Sequence, residues 1–119
     1  MKTLGSKKDY LFVEYTEPYQ LEACIALMQE VAEICRRKKF TKVLVDMSGM
    51  MGRISTIDRF KLGVAGADTF RGVAQVAIIY RKEELNWFAE TVGVNRGANV
   101  RVFSGPDEAL KWLDVEEEN

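Results

Sequence analysis

Histidine is missing from this sequence altogether. That absence removes histidine-based triads, His–Cys dyads and most zinc sites. A GxSxG elbow, a GxGxxG turn and an HExxH helix are also missing, so no metal and no cofactor is expected and hydrolytic chemistry has no evident machinery. Cysteine is scarce: Cys24 and Cys35 form no CxxC pair, and eleven residues of helix set them about 16 Å apart along the axis. They read as buried small hydrophobes in a reducing compartment. No charged stretch leading into an apolar run opens the chain, and no apolar segment reaches membrane-spanning length. A cytoplasmic location without stable membrane insertion is the expectation. An excess of one charge is lacking too, with 17 basic against 18 acidic residues. There is then no global field to gather nucleic acid or an anionic membrane. The one basic run, Arg36-Arg37-Lys38-Lys39, falls at a predicted helix end and complements its dipole.

What remains is an ordinary globular composition, 47% hydrophobic and 29% charged over 119 residues. That length suits one domain, residues 1–119, able to bury roughly two-thirds of its unfolded surface without staples. Tyr10 to Tyr15 is aromatic and β-branched and reads as a strand. Pro18 opens a helix whose apolar positions Leu21, Cys24, Ile25, Met28, Val31, Ala32 and Cys35 keep the helical period to about Lys38. Lys42 to Met47 and Val73 to Tyr80 are almost continuously apolar, as expected of strands covered on both faces. Between them a helix opens at Ser55 or Thr56. A third helix is expected over Glu83 to Asn95, with Leu85, Phe88, Ala89 and Val92 inward and Gly97 as its stop. Asn99 to Phe103 gives a fourth strand. Ser104 and Pro106 introduce a last helix bearing Ala109, Leu110, Trp112 and Leu113, and Glu116 to Glu118 form an acidic tail. The pattern is βαβαβαβα, an α/β fold with a mostly parallel four-stranded sheet and helices packed on it. The direction of the first strand is left open.

The informative stretch is Lys42 to Phe60, where a strand runs into a glycine-bearing loop and then into the second helix. Ser55-x-x-Asp58 resembles a capping box. Asp46 is expected to bond the amides of the following loop. In a parallel sheet the loops after the strands share one edge, which collects Ser48, Arg53, Ser55, Thr56, Arg81, Lys82 and Ser104. Hydroxyls, arginines and helix N-termini together suit a small anion or a phosphoryl group, and the same residues also serve simply as caps. Met50 and Met51 fill the core or offer an adaptable partner surface. Partner- or anion-contact candidates are therefore Ser48, Met50, Met51, Arg53, Asp58 and Arg81.

The strand ending VDMSGM resembles the strand, D-S-[ST]-G turn and helix of the SpoIIAA-like (STAS) anti-sigma factor antagonists. The segment AETVGVNRGANVRVFSGPDEALKWL is similar to the ending of the broader STAS/Sec14-type branch. This resemblance spans about Leu11 to Leu113. It implies a bacterial, non-enzymatic signalling domain that binds a protein partner, an anti-sigma factor that is also a kinase. Phosphorylation would fall on the serine opening the second helix, here Ser55 with Thr56 beside it. Ile54 stands where the family motif has aspartate, and Ile57 where it has glycine. The Sec14 side implies the alternative, a carrier domain holding a lipid or other small apolar ligand beneath the helices. A homodimer is left open.

Overall fold

The apolar runs become the interior of one twisted sheet. The computed structural model describes residues 2–7, 9–84 and 88–116. Five strands lie in the order β1 (Lys2–Ser6), β2 (Leu11–Tyr15), β3 (Lys42–Asp46), β4 (Gln75–Ile79) and β5 (Val100–Phe103). β2 to β5 are mutually parallel, as the βα pattern requires. The helices are α1 (Leu21–Lys38), α2 (Thr56–Phe70), α3 (Phe88–Asn95) and α4 (Pro106–Leu113); α1 starts at Leu21 and not at Pro18, because the chain is still extended at Gln20, its N-cap.

Consecutive strand order has a direct consequence. Each crossover steps the same way across the sheet, so the right-handed rule places α1, α2 and α3 on one face. The opposite face is left to α4. Two cores follow, divided by the strand alternation. Val13, Val43 and Val76 face α1 with Cys24, Leu27, Val31 and Cys35. Leu44, Ala77 and Ile79 face α4 with Ala109, Leu110 and Leu113. β3 and β4 thus need apolar residues at every position, which is why they show no alternation.

The structure adds to the expected four strands. β1 pairs antiparallel with β2, Lys2 opposite Tyr15 and Ser6 opposite Leu11, and so settles the direction left open: β2 runs parallel to β3 and antiparallel to β1. KTLGS carries little strand propensity of its own, and the open edge of β2 supplies what it lacks. β4 begins at Gln75 and not Val73, because the amides of Val73 and Ala74 turn back onto the Phe70 carbonyl. Lys82–Glu84 form a 3-10 turn where the third helix was expected to start. Leu85, expected inside, lies outside the described residues, as do Glu117, Glu118 and the side chain of Phe88. The last helix is capped at Gly105 and not Ser104, with Pro106 in its first turn.

α2 and α3 meet through glycine. A Cβ on Gly63 would lie 2.7 Å from both the Ala89 carbonyl oxygen and Val92 Cβ, whereas one on Gly66 would meet nothing within 4 Å. Both sit inside α2, where alanine is favoured over glycine by about 1 kcal/mol. Gly66→Ala should therefore raise stability by about 0.5–1 kcal/mol. Gly63→Ala should lower it by about 1–2 kcal/mol, because the overpacking penalty exceeds the propensity gain. Denaturant midpoints at unchanged slope would show the opposite signs. Equal effects would contradict the close approach at Gly63.

Candidate functional site

At the carboxyl edge of the sheet β3 ends on Asp46, whose carboxylate accepts the Ser48 amide at 3.0 Å and the Ser48 hydroxyl at 2.7 Å. This is the loop-bonding role expected of Asp46. The chain then crosses the edge as a strap, residues 50–54, before entering α2. Its carbonyls find donors elsewhere in the fold. Arg81 donates to the Met50 carbonyl and, at 3.2 Å, to that of Gly52. The Tyr19 amide donates to Met51 at 2.8 Å, and Arg59 Nε donates to Ile54 at 3.1 Å. Gly52 sits at φ 101°, in the region an L side chain resists, which lets the strap turn at that point.

The strap delivers the chain to the α2 cap. Ser55 Oγ accepts the Asp58 amide at 3.1 Å, half of a capping box. The Asp58 carboxylate takes another partner, accepting the Tyr19 hydroxyl at 2.9 Å. Burial, and then this bond to a carboxylate, push the Tyr19 phenol well above its ordinary range.

Ser55 and Thr56 stand exposed side by side at the helix start, and Ser48 and Arg53 are exposed in the approach. Met50 and Met51 divide: Met50 is 0% exposed and Met51 67%. Ile57 at 68% and Phe60 at 44% continue the exposed apolar face along α2, three residues apart on one side of the helix. The Arg96 guanidinium lies 5.8 Å from the Phe60 ring centroid. Of the residues proposed from the sequence, Ser55, Thr56, Met51, Arg53 and Asp58 gather here. Met50 points inward, and Arg81 spends its guanidinium on the strap and on the Tyr80 hydroxyl. Tyr19 and Arg59 carry no motif. Their only sequence signal is a polar group beside buried positions.

Beneath α1, α2 and α3 lies an apolar cavity of about 160 Å³. Val13, Val45 and Ile78 form its floor, and Met28, Met50 and Leu62 are among its walls. Its polar neighbours are engaged. Arg59 also donates to the Glu84 carbonyl at 3.1 Å and lies 4.0 Å from the Glu84 carboxylate, and Glu90 accepts the Val102 amide at 3.1 Å. Cys24 borders the cavity as well, and burial pushes its thiol up to about 11. Burial also raises the thiol of Cys35 on the same helix. Both thiols should therefore react slowly with a thiol-disulfide reagent at pH 8 in the native protein and at once in denaturant. Rapid native labelling of either would contradict their burial.

The SpoIIAA-like family model matches residues 10–114. Among solved structures the chain is similar to an uncharacterized protein of the DUF3478 family with a SpoIIAA-like fold from Shewanella loihica. The TM-score is 0.55 at 20% identity, over 95% of this chain and 92% of that one. That likeness shows the fold alone. The comparison with curated proteins gives no match. A family match across both cores, with the same fold in a solved neighbour, places this chain in the SpoIIAA-like family.

Proposed function

We propose that this domain is a non-enzymatic regulatory module that docks a protein partner at the start of α2 and is switched by phosphorylation of Ser55. The observation that carries this reading is the exposed group Met51, Ile57 and Phe60 flanking the exposed hydroxyls of Ser55 and Thr56. Apolar anchors of this kind lose little by being covered, and a hydroxyl among them is a place where a charge would be felt. A phosphate on Ser55 would meet the positive end of α2 and lie two residues from Arg53, so the fold would tolerate it. A partner seated over Ile57 would not, since about two negative charges would enter the contact. An anti-sigma factor of the kinase type is the partner class the family suggests.

A second reading, a carrier of a small apolar ligand or lipid, is favoured by the cavity beneath the helices. It is compatible with the first, because the two use opposite sides of the strap.

Ser55→Ala, Ser55→Asp and Ile57→Ser separate cap from switch. Ser55→Ala should cost about 1 kcal/mol through the lost cap, and Ile57→Ser, at an exposed position, should stay within about 0.5 kcal/mol of wild type. Pull-downs from native lysate should show Ser55→Ala keeping the wild-type partner while Ser55→Asp and Ile57→Ser lose it. Retention of that partner by Ser55→Asp would reduce Ser55 to a cap.

A further inference from the structure

The exposed apolar group on α2 carries an uneven charge. Arg53 lies on its approach, Lys61 follows Ile57 by four residues on the same side of the helix, and Arg96 lies just past the end of α3. All three are exposed. α3 also contributes an exposed apolar residue of its own, Val94 at 48%.

The carboxylates of these two helices are turned to other tasks. Asp58 accepts the Tyr19 hydroxyl, Asp68 lies 3.5 Å from Arg71, and Glu90 accepts the Val102 amide. Asp58 and Glu22 both act on the Tyr19 phenol, so negative charge collects on the α1 side of the group. Positive charge is left toward α3. The Arg96 guanidinium lies 5.8 Å from the Phe60 ring centroid, within cation–π range. A ring engages the cation through its π electrons and leaves the fork of N–H donors for an acceptor. Among the described residues no carboxylate takes the donors of Arg53, Lys61 or Arg96. A segment bearing both apolar side chains and carboxylates would cover Ile57 and Phe60 and satisfy these cations together.

The direction of the switch constrains the partner in the same way. A phosphate on Ser55 adds about two negative charges. A basic partner would be drawn to it and held more tightly. An acidic partner would be repelled, which is the release that the switch requires.

We propose that the face formed by Ile57, Phe60, Lys61 and Arg96 binds an acidic, apolar segment of a partner protein, with Lys61 and Arg96 meeting its carboxylates. This rests on the reading of the α2 start as the docking surface, and adds the charge of the partner and the residues that select it.

The test pans random short peptides displayed on phage against the full chain at low salt. Enriched sequences should combine aspartate or glutamate with large apolar residues. A synthetic copy of the leading peptide, followed by fluorescence anisotropy, should lose about tenfold in affinity to Lys61→Glu and to Arg96→Glu. Its binding should also weaken as salt is raised. Both positions are exposed, so both variants should melt as wild type does. Lys61→Glu alone carries the comparison if Arg96→Glu melts lower. Ser55→Asp should weaken the same peptide, and Ile57→Ser should abolish its binding. Enriched peptides that are basic or uncharged, yet lost with Ile57→Ser, would overturn the proposal and leave the docking reading intact. Acidic peptides indifferent to the charge reversals would do the same. Peptides that bind Ile57→Ser as they bind wild type would place the contact elsewhere and overturn both. No enrichment over the bare support would overturn the proposal, with the docking reading then decided by the Ser55 pull-downs. Self-association abolished by Ile57→Ser would assign the face to a second copy of the chain and overturn it equally.

Discussion

Backbone carbonyls that neither strand nor helix can use must find donors, and four carbonyls of the strap between β3 and α2 find theirs outside it. Met50, Met51, Gly52 and Ile54 are served by Arg81, the Tyr19 amide and Arg59. Three other segments of the chain thereby converge on one loop. Hydrogen bonds from charged donors contribute about 1.5–3 kcal/mol each, more than a neutral bond. The position of the α2 N-terminus, the inward turn of Met50 and the outward turn of Met51 all follow from this convergence. Loops of ordinary polar composition are usually mobile. This one is fastened from outside, so it can present side chains in a fixed arrangement.

Sheet topology supplies the other half of the arrangement. Three helices crowd one face because the strands run in consecutive order, while α4 alone serves the other. The crowded layer is closed by a glycine contact between α2 and α3, where Gly63 lets the helix backbones approach, and the adjoining Gly66 leaves space over the sheet. The cavity is what three helices on one face enclose when small residues line the middle one. Its inner wall and the exposed α2 face are separated by the thickness of a single strap.

The features legible in sequence were the local ones. α1 ran from Leu21 to Lys38 as its period required, and Ser55 capped α2 because the capping pattern is written within four residues. Asp46 bonded the next turn for the same reason. Interactions across the fold left no such trace. Tyr19 meets Asp58 across 39 positions, and Arg81 meets Met50 across 31. Arg81 was placed at the right edge of the sheet by topology, yet its direction depended on which carbonyls lacked donors. β1 was illegible because KTLGS becomes a strand through the edge it joins and not through its own propensity. Space beneath the helices was implied only by the family resemblance, because composition records which residues are apolar and not how well they fill the space between elements.

The fastening of the strap is open to direct measurement. Hydrogen exchange by mass spectrometry on wild type and Arg81→Gln would compare peptides covering residues 48–60 with peptides from α4. Loss of the Arg81 donors should speed exchange across the strap and the first turn of α2 and leave α4, packed on the opposite face, as in wild type. Unchanged exchange over residues 48–60 would contradict a strap held by Arg81, and an equal rise in α4 would mean that the substitution loosens the whole fold.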